Sequence, residues 1–225
     1  MYSNEKKINR LFVYWLISCL LLVFFIIIVG GLTRLTNSGL SITEWELFKG
    51  IMPPTNVDSW KIYFDEYKKI PQYKLLNFDM SLSEFKVIFY WEYFHRILAR
   101  IIGIFFMLPL IYFYFSKKIK DEYIKICLII FSLIIFQGII GWYMVKSGLV
   151  NVITVSHYRL SIHLFTAIII ISLIYWLLMN VLTKKNKIFF NFSKDNSIFI
   201  FLIFLIFAQI ILGAFVSGLD AGKIY

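Results

Sequence analysis

Charge is scarce in this sequence: Asp, Glu, Lys and Arg make up only 16% of its 225 residues, against about a quarter in a soluble domain. With 60% hydrophobic residues and a mean hydropathy of +0.78, such a chain cannot cover a water-facing surface and reads as a polytopic membrane protein. Acidic residues are the scarcer sign, 13 against 23 basic ones, for a net charge of +10. The basic residues stand in short loops between hydrophobic spans, where they set topology and meet lipid phosphates, so this excess does not argue for nucleic acid. Cysteine is nearly missing. Cys19 and Cys127 each fall inside a hydrophobic run, which excludes a loop disulfide and a thiolate metal spacing and leaves two buried apolar side chains. The short basic start carries no Arg/Ser-rich transit peptide. Residues 11–32 are too long for a signal-peptide core and lack a cleavage site, so they are expected to remain as a helix.

What is present is long hydrophobic runs. About 20 uncharged residues cross a hydrocarbon layer of about 30 Å. Residues 11–32, 126–145 and 198–219 meet that test, and residues 160–182 meet it with only His163 inside. A further span, the second in order, ends near Phe115 and must begin about Arg96, with Pro109 as a candidate kink. Lys6, Lys7 and Arg10 precede the first span. Lys117, Lys118, Lys120 and Lys125 follow the second, and Lys184, Lys185, Lys187 and Lys194 follow the fourth. These alternate loops are cytoplasmic by the positive-inside rule, which puts the N-terminus inside and segments 33–86 and 146–159 outside. The expected fold is an all-α membrane protein with five transmembrane helices. The first four form a four-helix bundle, with a long, partly helical outer loop between the first two.

Within that outer loop Trp60, Phe64, Tyr67 and Ile70 fall at helical spacing, with Asp58 available as a cap and Pro71 as a stop. They predict a short amphipathic helix on the membrane surface. Ser81 followed by Glu84 reads as a capping box that opens the helix running into the second span. A motif also recurs. Gly30-Gly31 precedes Ser38-Gly39-Leu40. Gln137, Gly138 and Gly141 precede Ser147-Gly148-Leu149. Gln209 and Gly213 precede Ser217-Gly218-Leu219. Three copies on odd-numbered spans suggest duplicated helical hairpins, the fifth span opening a second bundle. The predicted division is residues 1–182, the first bundle, and residues 183–225, a loop and the first helix of an incomplete second bundle.

The chemistry concentrates at Trp91-Glu92-Tyr93-Phe94-His95-Arg96 and Arg100. Ionisable groups at a membrane boundary are costly and point to function. Counting about 1.5 Å per residue from the cytoplasmic ends places His95 and His163 at matching depth, near the outer boundary. Neutral imidazoles are common axial ligands of heme iron, and a porphyrin plane suits a bundle interior. Arg100 and Arg159 lie near the level of heme carboxylates, which Arg binds bidentately. Glu92, three residues before His95, shares its face and is placed either for acid–base work or for an ion pair with Arg96, four residues on. Arg96 and Arg100 equally suit snorkelling to headgroups. His157, six residues before His163, points about 120° away from it and reads as a solvated loop residue.

These residues resemble the heme A synthase family in its alphaproteobacterial and mitochondrial form. The matching stretches are Gly30-Gly31 through Thr33-Arg34 to Ser38-Gly39, Trp45, Pro53-Pro54, Tyr73 to Asn77 and Asp79 to Glu84. They continue with Trp91-Glu92, His95-Arg96, Ser156-His157, Arg159 and His163, then Gly213 to Gly218, Asp220 and Gly222. The resemblance implies eight spans in two similar four-helix bundles. The first holds the substrate heme O and the second a heme b cofactor. The reaction it implies oxidises the C8 methyl of heme O to the formyl group of heme A, for cytochrome c oxidase. It makes His95 and His163 the axial ligands of the substrate iron and Glu92 the catalytic carboxylate, while Arg100 and Arg159 remain heme-binding candidates by their level alone. The cysteine pair that one branch carries in an outer loop is missing, which fits the other branch.

The sequence ends after the fifth of the eight expected spans, so a truncated chain is expected, without the residues of the heme b site. Implied partners are heme O, the lipid bilayer, heme O synthase, cytochrome oxidase assembly factors and a second copy of the chain. The implied location is the bacterial inner membrane. The alternatives are a b-type heme electron-transfer subunit, against which stands the lack of histidine near the cytoplasmic ends, and an inactive heme-binding remnant. A transporter would need a polar path that the uncharged spans do not offer.

Overall fold

In the computed structural model, residues 9–44, 52–151, 155–183 and 196–223 are described. Trp45 and the loop lysines Lys6, Lys7, Lys184, Lys185, Lys187 and Lys194 lie outside them. The described residues are helical: α1 (Arg10–Leu35), α2 (Val57–Lys69), α3 (Pro71–Leu76), α4 (Leu82–Ser116), α5 (Asp121–Asn151), α6 (His157–Thr183) and α7 (Ser197–Gly218), then a 3-10 turn at Ala221–Lys223. Five of these, α1, α4, α5, α6 and α7, are long and apolar enough to span a bilayer. The chain is a multi-pass membrane protein.

Helix α1 packs on α4 and α6, and α5 packs on the same two, so α1, α4, α5 and α6 close into a ring. This is the four-helix bundle expected from the runs. Helix α7 packs on α6 alone among the spans by extended contact and buries only Ala214 and Gly218. Most of its remaining side chains are apolar and exposed.

Helix α4 begins at Leu82, where the sequence reading opens it, because the Ser81–Glu84 capping box forms in full: Ser81 Oγ accepts from Glu84 N–H, and Glu84 Oε2 accepts from Ser81 N–H. Its 35 residues reach about 52 Å, well past a hydrocarbon layer of about 30 Å. The helix is continuous through Pro109. A proline lacks the N–H that would bond the carbonyl four residues back. That carbonyl, on Phe105, instead accepts from Trp15 Nε1–H of α1 at 3.1 Å.

The amphipathic helix of the outer loop is α2, with its cap corrected. Asn56 Oδ1, not Asp58, accepts from Ser59 N–H at 2.7 Å, and Asp58 sits in the first turn. Pro71 does not only stop α2; it also opens α3 at its first position. The apolar stripe is covered by protein rather than lying on lipid: Trp60, Phe64 and Tyr67 pack against Phe85 and Phe89 on the projecting end of α4. The longer α4 is the reason, since it offers the stripe a protein partner.

Two apolar cores result. One fills the half of the ring at the start of α1, from Phe12, Leu16 and Cys19 through Phe106 and Phe113 to Cys127, Ile130, Ile174 and Leu177. The other is the outer cap around Leu40, Trp60, Tyr67, Phe85 and Phe89. Glu92, His95, Gln137 and His163 lie along the chain between these two cores.

Candidate functional site

His95 stands on α4, facing α1. A Cβ built on Gly30 of α1 would lie 3.2 Å from His95 Cε1 and 3.6 Å from its Nδ1. His163 stands on α6, facing α5, where a Cβ on Gly141 would lie 3.6 Å from His163 Cε1. Each imidazole is thus seated on a glycine of the neighbouring helix, and each glycine belongs to the recurring motif. The two histidines stand on α4 and α6, two helices of the same four-helix ring. Both Nδ1 atoms are buried without a hydrogen-bond partner among the described residues. Buried polar nitrogens are rarely left so. Two such imidazoles, on α4 and α6 of one ring of helices, are of the donor type that an iron porphyrin takes as axial ligands. Among the described residues no three His, Cys, Asp or Glu side chains converge. The residues fit a heme.

Glu92 lies one turn outward from His95, 3% exposed. Its Oε2 accepts from Ser41 Oγ–H at 2.7 Å and Ile42 N–H at 3.0 Å, and its Oε1 from Arg96 at 2.5 Å. Arg96 also donates to the carbonyls of Ile42 and Glu44. The ion pair with Arg96 is therefore formed, and the same carboxylate pins the loop after α1 onto α4. Arg96 does not snorkel; its side chain is 10% exposed. Arg100, one turn below, lines a shallow notch with Arg96, Glu44, Tyr63 and Tyr93. Arg159, on the first turn of α6, donates to Ser147 Oγ and to Tyr143 Oη, and lies 4.3 Å above the Tyr143 ring. Arg100 follows His95 by five residues on α4, and Arg159 precedes His163 by four on α6, so the two positions bracket the histidine layer. An apolar groove of about 540 Å³ lined by Leu11, Trp15, Phe105, Pro109 and Tyr112 lies toward the other end of α1 and α4, away from both histidines.

His157 corrects its sequence reading as a solvated residue. It opens α6 and packs on α7, its ring edge-on to Phe215 at 5.5 Å. A Cβ on Gly218 would come within 2.6 Å of His157 Cβ and 2.7 Å of its Cα. Its partner is 61 residues away, beyond the reach of local pattern.

Sequence reasoning assigned no role to several residues here. Gly30, Gln137 and Gly141 were visible only as a repeat; counting them to the depth of the histidines would have marked them. Gln137 Nε2–H donates to the His163 carbonyl at 2.8 Å. Arg34, at the end of α1, donates to Asn37 Oδ1 at 3.0 Å, to Asp220 Oδ1 at 3.1 Å and to the Ser217 carbonyl. Asn37 and Asp220 both have φ 52° and follow Gly30 and Gly213 by seven residues. One guanidinium therefore joins equivalent turns of two copies of the motif.

The family described as COX15-CtaA, cytochrome oxidase assembly protein, matches residues 13–225. Proteins named heme A synthase are similar to the chain along its length. That of Pelagibacter ubique is 52% identical over 100% of the chain and 66% of its own length. That of Rickettsia bellii is 47% identical over 98% and 65%, and that of Flavobacterium johnsoniae 42% identical over 98% and 65%. The chain spans about two thirds of the length of these curated relatives. No solved structure matches it.

Proposed function

The chain belongs to the COX15-CtaA family of cytochrome oxidase assembly proteins, and from that premise we propose that it is the substrate-binding bundle of a heme A synthase, an oxidoreductase. Its substrate is heme O, whose C8 methyl group is oxidised to the formyl group of heme A for cytochrome c oxidase. The observation that carries this reading is the pair of buried imidazoles, His95 and His163, each on a glycine seat and each with an unpartnered Nδ1.

In this reading His95 and His163 grip the substrate iron from α4 and α6. The heme itself supplies the methyl group and the electronic system that its oxidation draws on. Arg100 and Arg159 neutralise the two heme carboxylates at the outer boundary, where charge is cheapest to hold. Glu92 keeps the 38–44 loop closed over α4 through Ser41 and Ile42, which excludes water beside His95. Opening of that anchor frees the Glu92 carboxylate to take a proton near the porphyrin edge. The inner core below the histidines seals the site from the cytoplasm.

Residues 1–182 form this bundle, and residues 183–225 start a second one, a division supported by the Arg34–Asp220 pair between equivalent turns. Lysine-rich alternate loops support a bacterial inner-membrane location with a cytoplasmic N-terminus. Heme O synthase and oxidase assembly factors are the partners that would deliver substrate and receive product.

The test is to purify the chain from cells that make heme O and to measure bound heme by its absorption spectrum and by chromatography. Heme O in the wild type, reduced at least tenfold in His95→Ala and His163→Ala, is expected. Absence of heme from the wild type, or equal heme in both variants, overturns the assignment.

A further inference from the structure

The two imidazoles are not held alike, and the difference lies in one residue of α5. Gln137 Nε2 donates to the His163 carbonyl at 2.8 Å, while its Oε1 is buried without a partner. His163 Nδ1 is also buried without a partner. A stranded acceptor and a stranded ring nitrogen thus occur on two residues already in contact. Gly141, one turn on from Gln137 along the same face of α5, lets the ring close onto that helix. On α1 the residue one turn before Gly30 is Ile26, which offers His95 no acceptor.

We propose that Gln137 is a positioning residue for His163: its Oε1 accepts the Nδ1–H of the imidazole when Nε2 ligates iron. The inference rests on the heme reading above. A ligating histidine almost always donates its other ring nitrogen to an acceptor, which fixes the tautomer and makes the ring a stronger ligand. A carboxamide anchored by its nitrogen on the same residue's carbonyl supplies that acceptor with a small rotation, and it ends the cost of two unpaired buried polar atoms. His163 is then the fixed ligand. His95, on its glycine seat alone, is the ligand that turns or yields when substrate enters and product leaves.

The experiment uses the whole chain loaded with heme, in wild type, Gln137→Leu and Gln137→Glu, with His163→Ala as a reference. Midpoint potential and low-temperature electron paramagnetic resonance are recorded. Gln137→Leu is expected to raise the potential and broaden the ligand-field signal, because the ring loses its acceptor. Gln137→Glu is expected to lower the potential, because a carboxylate acceptor makes the imidazole more basic. Heme lost from Gln137→Leu but restored in Gln137→Glu also supports the assignment, and loss from both overturns it in favour of a packing role. Unchanged potential and signal in both variants, with heme still dependent on His163, overturn the role of Gln137 and leave the heme reading standing. A wild-type chain that binds no heme overturns both.

Discussion

Replacing Glu92 with alanine should open the outer loop before it disturbs the bundle. The side chain is 3% exposed and its partner Arg96 10% exposed, so the pair sits largely out of water. Removing one member of a buried, hydrogen-bonded pair costs about 3–5 kcal/mol, because the other charge is left uncompensated. Here the loss also strands Ser41 Oγ and Ile42 N–H, which have Glu92 Oε2 as acceptor at 2.7 and 3.0 Å. Arg96 retains the carbonyls of Ile42 and Glu44, which argues for the lower end, about 3 kcal/mol. At about 1.4 kcal/mol per factor of ten, the Ile42 amide should exchange with solvent deuterium about 100-fold faster in Glu92→Ala. In Glu92→Gln the amide oxygen still accepts from Ser41 and Ile42, so a rise of about tenfold is expected. The assay is hydrogen exchange by mass spectrometry in detergent micelles, read on peptides covering residues 38–44 and, as internal control, residues 98–113 of the inner core. Unchanged exchange at residues 38–44 in the alanine variant would refute the argument that this carboxylate anchors the loop.

Three more outcomes follow from geometry. Trp15→Phe removes the donor to the Phe105 carbonyl and should cost about 1–2 kcal/mol in the native background. It should cost almost nothing in a Pro109→Ala background, where residue 109 regains its own N–H. A denaturant double-mutant cycle that shows no coupling contradicts this. Gly218→Ala places a methyl group within 2.7 Å of the His157 backbone and should push α7 off α6. Cysteines introduced at Tyr158 and Phe215, whose rings stand 5.5 Å apart, should then cross-link more slowly than in the glycine background. Tyr67 is pushed up to about 12 by burial, with smaller contributions from Glu92 and Tyr73 partly offset by its bond from Asn77. Its folded value exceeds the ordinary value of about 10, so its contribution to stability is complete below pH 10 and is lost as pH rises toward 12. Tyr67→Phe should flatten the loss of outer-cap stability over that window, and an identical alkaline profile in both proteins speaks against it.

Features with local causes could be read from the sequence. The Ser81–Glu84 box, the α2 stripe of Trp60, Phe64 and Tyr67, and the Glu92–Arg96 pair all depend on residues three or four apart, where helical geometry alone brings side chains together. Hydropathy marked only the apolar part of α4 from about Arg96, while the capping box gave its start; the helix extends outward from the apolar part on that cap and on the aromatic cluster of Phe85 and Phe89. Asn56 took the N-cap from Asp58 because either residue can cap, and the choice depends on where the preceding chain turns. The anchoring of Glu92 by Ser41 and Ile42, the glycine seats and the contact of His157 with Gly218 join residues 22 to 65 positions apart. No local pattern encodes these; they exist only once the ring of helices has closed.

Helix α4 is a single rod that carries the Phe85 and Phe89 rings of the outer cap at one end and His95 two to three turns further in. A rigid helix does not let its ends move separately. Any molecule that pushes on the α2 face outside the membrane therefore also turns or shifts the imidazole inside it. The α2 face thereby becomes a handle on the His95 ring, moved from a surface that does not touch it.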